Sequence, residues 1–271
     1  MEMKTWLSYA NLSDHYERKA RFLPGLISVL FLLPVSSAFG VPFASLAETV
    51  AVGMGTTAAV AVGLSHLASA AGNRFQERLW PRWPYDSPTN QWLLPDDNSR
   101  SEQQKSIWCA AIKRLTGLDI IVNKNLGNDE IERIINDAVS TLRYRLWNSR
   151  DAERLRMHNT DYGFARNFAG LRFAWMSASV LSCAGCFISF LWAGGNAIWC
   201  AISFVLMITA FAMAFVILPK YVQQKAKHYA ESFFAALLEL DLAQQKDPTS
   251  KPEPREIGSG ALRNGAKLQQ V

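Results

Sequence analysis

Residues 22–73 and 173–219 contain no lysine and no arginine, although the 271-residue chain has 28 of them. The two gaps run for 52 and 47 residues and share a single carboxylate, Glu48. A charged side chain at the centre of a bilayer costs about 2.5–3.5 kcal/mol on insertion scales, whereas water imposes no such penalty. Gaps of this length therefore exclude an ordinary soluble chain and mark membrane spans. The averages conceal this segregation: 49% of residues are hydrophobic, 19% are charged and the mean hydropathy is +0.01.

Catalytic signatures are also missing. No G-x-x-x-x-G-K-[ST], G-x-G-x-x-G, H-E-x-x-H or G-x-S-x-G occurs, which removes the usual phosphate cradles, the zinc-protease helix and the nucleophile elbow. Cysteine is scarce, with four in the chain. Cys183, Cys186 and Cys200 fall in an apolar gap and Cys109 in the polar middle, so no extracellular disulfide framework exists. Cys183-Ala184-Gly185-Cys186 has redox spacing. Inside a hydrophobic helix its expected role is packing, and a zinc site would need further ligands at that depth. No cofactor and no metal are expected.

Each gap is long enough for two crossings of roughly 20 residues. The second divides into Phe173–Ala193, a Gly194-Gly195-Asn196 turn and Ala197–Leu218, closed by Pro219-Lys220. The first is less regular. Leu23–Phe39 is apolar but includes Pro24 and Pro34, the turn falls around Gly40-Val41-Pro42, and Ala44–Ala71 is rich in small residues and carries Glu48 and His66. A hairpin lying on the membrane is the alternative for this half. Ser36-Ser37-Ala38 imitates a signal cleavage site, but the apolar stretch begins after 21 polar residues and continues past any signal length.

The expected fold is an all-α membrane protein: four transmembrane helices, as two hairpins, flanking a mostly helical cytoplasmic domain. Its segments are an N-terminal stretch 1–21, a first hairpin 22–72, the domain 73–172, a second hairpin 173–219, an amphipathic helix 220–246 and a disordered tail 247–271. With four spans every Lys and Arg lies on one side, so the positive-inside rule places both termini and the domain in the cytoplasm of a bacterial inner membrane. Almost nothing remains outside to receive an external ligand.

Within the domain, Ser101-Glu102 caps a helix ending near Gly117, and Glu130–Trp147 is clearly amphipathic, with Ile131, Ile134, Ile135, Ala138, Leu142 and Leu146 on one face. Pro81, Pro84 and Pro88 predict an extended loop between them and the membrane. A further charged helix, Asp151–Met157, leads into a polar stretch before the third span, and Tyr221–Gln244 forms the tail helix.

Four groups of residues are candidates for function. Glu48 and His66 are ionisable groups within a span, hence gating or permeation candidates. Arg78, Trp80, Arg82 and Trp83 alternate aromatic and basic character beside the second span, suited to lipid headgroups or to stacking on a nucleotide. Tyr162, Arg166 and Asn167 would couple the domain to the membrane. His158 and Asp161 could share a proton or hold a metal, although the other histidines, His15, His66 and His228, are remote in sequence.

Three strings carry a resemblance: Arg78-Leu79-Trp80-Pro81-Arg82-Trp83 with Pro88-Thr89, Arg114-Leu115-Thr116-Gly117, and Asn159-x-x-Tyr162-Gly163-Phe164-x-Arg166-Asn167-x-x-Gly170-Leu171. Over residues 20–220 the chain resembles a group of uncharacterised bacterial four-helix membrane proteins, and no biochemical activity comes with that likeness. In architecture alone it is similar to the four-transmembrane effectors of anti-phage systems, in which a cytoplasmic domain receives a signal, often a cyclic nucleotide, and the spans compromise the membrane. The expected function is that of a non-enzymatic membrane effector. Its partners would be the lipid bilayer, a cytoplasmic protein or small nucleotide signal, and further copies of itself; no nucleic acid is predicted. The alternatives are a scaffold recruiting a soluble partner, and a membrane-embedded enzyme using His158 and Asp161. A secondary transporter fits less well, since four spans are few.

Overall fold

The computed structural model describes residues 15–40, 54–120, 127–147, 149 and 152–246. Every element among them is helical: α1 (Glu17–Ala38, with a turn at 31–32), α2 (Met54–Leu79), α3 (Pro88–Gln91), α4 (Glu102–Thr116), α5 (Asn128–Trp147), α6 (Glu153–Gly170), α7 (Arg172–Ala193), α8 (Ala197–Ala212) and α9 (Leu218–Lys246). The chain forms two compact units. One comprises residues 1–83 and 159–226, the other 84–158 and 227–271, so the division falls within α6 and within α9. These units cut the chain at other points than the segments expected from sequence.

Among the described residues, three helices are long and apolar enough to cross a membrane: α1, α7, and the continuous helix Ala197–Lys246 that contains α8 and α9. The fourth expected span is not among them. Its first part falls in 41–53, outside the described residues, and α2 continues it through Arg74, Glu77 and Arg78 with a high share of small residues.

The first unit has an apolar core of Phe75, Trp80, Phe168, Trp175 and Leu218, but beyond Met176 α7 packs inside out. α7 buries Ser179, Ser182 and Ser189 at 1% exposure while Leu181 is 65%, Phe187 55% and Trp192 86% exposed. Water would favour the reverse, since large apolar side chains drive burial there. Helices in hydrocarbon gain nothing from hiding leucine and associate instead through small residues and hydrogen bonds. Two of these serines, Ser182 and Ser189, bond to α1, while Ser179 donates to Met176 O in its own helix. α1 is interrupted at 31–32, which leaves the backbone ends of its second half without helical partners. Ser182 Oγ accepts from Val35 N at 3.2 Å and Ser189 Oγ donates to Ala38 O at 2.9 Å. Gly185 lies between them, where a Cβ would strike the Val35 side chain.

α7 and α8 form the expected tight hairpin. Gly194 takes the left-handed conformation at φ +65°, and Asn196 Oδ1 caps α8 by accepting from Ile198 N at 2.9 Å. The expected stop at Pro219 is corrected, because the helix runs on to Lys246. The turn before the proline, Met213–Ile217, is wound as a π-helix. That wider turn relieves the clash a proline ring makes with the carbonyl four residues earlier.

The second unit has a water-type core. Ile112, Ile135, Leu142, Leu146, Leu155, Phe233, Phe234 and Leu237 are almost fully buried, each contributing about 1.5–3 kcal/mol through the apolar surface removed from water. Trp108 stacks on Phe234 with ring centroids 4.0 Å apart, and Arg100 lies 3.9 Å over the Trp92 ring. Ala230, Phe233, Phe234 and Leu237 come from α9, so the tail helix completes this core. Arg114 locks it in a two-pronged pair with Asp241, at 2.9 and 2.6 Å, and that partner holds the Asp241 carboxyl below the usual carboxylate range. α4 begins and ends as expected, with Ser101 Oγ accepting from Gln104 N and Gly117 at φ +79°. The extended loop is corrected to a series of turns and the short helix α3, where Pro88 occupies the first helical position that tolerates a missing N–H.

Candidate functional site

α6 was expected to end near Met157, with a polar stretch to follow. It instead runs unbroken to Gly170, and its last three turns carry the string Tyr162-Gly163-Phe164-x-Arg166-Asn167-x-x-Gly170. Residues 162, 163, 166, 167 and 170 recur at helical spacing and face α1 and α2. Gly163 touches Tyr16 and Ala20 of the N-terminal segment. Gly170 lies on the Ala71–Gly72 backbone, and Gly72 in turn faces Asn167, so a Cβ at either glycine would force the helices apart.

The polar members of the string bond across this crossing. Tyr162 Oη donates to Gln76 Oε1 at 2.8 Å, and Arg166 Nη1 donates to the same oxygen at 3.2 Å. Arg166 Nε donates to Asn167 Oδ1 at 3.1 Å, and Asn167 Nδ2 donates to Ala20 O at 2.7 Å. The last bond has a cause readable in the sequence. Pro24 has no N–H for the carbonyl four residues before it, which is that of Ala20 in the π-helical stretch Glu17–Phe22. Asn167, fully buried, supplies the donor that Pro24 lacks. Three of the candidate residues are thus brought together as a joint between α1, α2 and α6.

Beside this joint, Asp161 accepts from Lys19 Nζ at 2.8 Å and from Lys225 Nζ at 3.2 Å, linking α1, α6 and α9 within the first unit. Burial pushes the Asp161 carboxyl up, but the two lysine hydrogen bonds outweigh it and the group lies below its ordinary value of 3.8. Both oxygens of the carboxylate are engaged by ammonium groups, which describes a structural tie rather than a proton carrier.

His158 belongs to the second unit, where its ring lies 6.1 Å from that of His228 in an edge-on arrangement. Sequence separation hid this pairing. Among the described residues no cluster of three or more His, Cys, Asp or Glu side chains could hold a metal ion. Glu48 lies outside the described residues, and His66 is exposed on α2. Trp80 is buried, 5.8 Å from Trp83 and 6.4 Å from Tyr162 by ring centroids, so it packs in the first unit's core; Arg78 and Arg82 are exposed.

Gln76, Lys19, Lys225 and the Ala20 carbonyl were missed by sequence reasoning. Only the carbonyl left a signal, through Pro24. No family model, curated protein or solved structure matches the chain. Fold and joint together define an all-helical protein with three helices able to cross a membrane and a second, water-type helical unit.

Proposed function

We propose that this chain is a non-enzymatic effector of the bacterial inner membrane, in which the second unit receives a ligand or partner and the first perturbs or permeabilises the bilayer. The observation that carries the membrane half of this reading is the packing of α7 beyond Met176, with Ser179, Ser182 and Ser189 buried and Leu181, Phe187, Leu191 and Trp192 exposed. The effector half rests on organisation. A water-type helical unit is joined by α6 and α9 to helices held by hydrogen bonds and glycine contacts, and a bundle held that way can be rearranged at modest cost. The proposed topology has four crossings, with α2 and the residues before it supplying the fourth, so that both termini and all basic residues face the cytoplasm. An oligomer and a role in anti-phage defence belong to the same proposal and rest on the architectural likeness alone.

The test is membrane potential, followed with a voltage-sensitive dye in bacteria induced to express the wild type or Glu48→Gln. Depolarisation by the wild type is the expected result, and a change in its extent with Glu48→Gln places that residue on the path. A wild type confirmed in the membrane that leaves the potential unchanged, alone and with the activating signal of its native host, refutes the effector reading. A scaffold is favoured by one feature of the second unit. Ser140, Arg143, Tyr144 and Trp147 line an open hollow of about 360 Å³ on α5, a surface suited to a soluble partner. Stable co-purification of one protein without ion flux is its signature.

A further inference from the structure

We propose that Arg78 and Arg172 form a binding site for the phosphate of an anionic membrane phospholipid. Arg172 is the first residue of α7, and its guanidinium carbon lies 5.0 Å from the ring centroids of both Phe75 and Phe173. Phe173 is half exposed and opens the apolar outer face of α7. The guanidinium is therefore held between aromatic faces at the level where a span meets its headgroup layer. Arg172 packs on Phe75 of α2, and Arg78, exposed on the last turn of α2, follows Phe75 by three residues on the same side of that helix. Arg74 precedes it by one helical turn and is exposed too. Among the described residues no carboxylate forms an ion pair with Arg74, Arg78 or Arg172.

Of the other basic groups in this unit, Lys19 and Lys225 share Asp161 and Arg21 pairs with Glu17, whereas exposed Arg18 and Lys220 form no ion pair among the described residues. Two guanidinium groups without a carboxylate ion pair among the described residues, one of them fixed over aromatic rings at the start of α7, call for an anion. Arginine forks suit the oxygens of a phosphate, and an anionic leaflet concentrates such groups at this depth. The aromatic contact and the apolar face beginning at Phe173 favour a lipid, whose acyl chains would lie along α7, over a soluble phosphate.

This inference rests on the membrane location proposed above, which carbonate extraction of the same cells reads separately. The site is tested on the full chain purified in a neutral detergent, by thermal melting against added phosphatidylglycerol, phosphatidylcholine or inorganic phosphate. Phosphatidylglycerol is expected to raise the melting temperature and phosphatidylcholine to do so much less. Arg78→Gln, at an exposed position that folding tolerates, is expected to weaken the phosphatidylglycerol titration about tenfold, as loss of one charge-assisted contact does. Arg78→Lys keeps the charge and is expected to lose less. Equal shifts with both lipids, an unchanged titration in Arg78→Gln, or an equal shift with inorganic phosphate would overturn the proposal. Should Arg172→Gln fail to remain monodisperse, the Arg78 pair of variants still decides it.

Discussion

The bond from Asn167 to Ala20 makes a prediction that a chance contact would not. Asn167→Ala removes the one side-chain donor that reaches this carbonyl among the described residues, a carbonyl to which Pro24 offers no N–H. A buried acceptor left unpaired costs about 1–3 kcal/mol, and interhelical hydrogen bonds in membranes average nearer 0.6 kcal/mol. A loss of about 1–2 kcal/mol is expected, a factor of roughly 5–30 in the unfolding equilibrium. The informative measurement adds Pro24→Ala. Alanine at 24 lets the π-helical stretch Glu17–Phe22 rewind to α, where its N–H reaches the same carbonyl, so in that background Asn167→Ala should cost about 1 kcal/mol less. The assay is a double-mutant cycle on the full chain in mixed micelles, with unfolding by sodium dodecyl sulfate followed by circular dichroism. If the two substitutions add to within about 0.3 kcal/mol, Asn167 does not stand in for the missing amide and the reasoning is wrong.

Two further outcomes are expected. Phe234→Ala, removing a ring buried in the stack on Trp108, should destabilise the second unit by about 3–5 kcal/mol and expose residues 84–158 to limited proteolysis; unchanged protease resistance would place α9 outside that core. Asp161 has its carboxyl held down in the folded chain, so its contribution is complete above the ordinary value of 3.8 and is lost as pH falls through the lower folded value. Melting temperature should therefore be insensitive to this group between about pH 5 and 8 and fall in acid, and Asp161→Asn should flatten the acid limb; an unaltered limb would show that the lysine tie is without weight.

The α7–α8 hairpin was legible to within a residue because charge ends at Arg172 and two glycines and an asparagine mark the turn. The capped helix α4 and the amphipathic α5 were legible for the same kind of reason, one a local cap and the other a face with helical period. The run of α9 through Pro219 was not, since the π-turn that tolerates the proline leaves no composition of its own. Nor was the length of α6. Its polar and small residues contact several helices, so no single apolar stripe marks it. The tail helix looked self-contained because its amphipathic face says only that something covers it, not that Trp108 and Ile135 do. The Asp161 tie joins residues 142 and 64 positions apart, a separation that no local pattern encodes.

The string that was most distinctive in the sequence is a joint, and physical chemistry explains why a joint needs so particular a string. Where α6 crosses α1 and α2, close approach and hydrogen bonds do the holding. Gly163 and Gly170 provide the approach. Tyr162, Arg166 and Asn167 provide the bonds, one of them to the buried backbone carbonyl of Ala20. Each residue is specified by its partner on another helix, so replacing it with a similar one fails on geometry rather than on chemistry. On the proposed function, the same economy makes the joint the place where a signal reaching α6 takes effect. Asn167 and Asp161 both reach α1 there, and loosening these ties would act on a helix that is interrupted at 31–32.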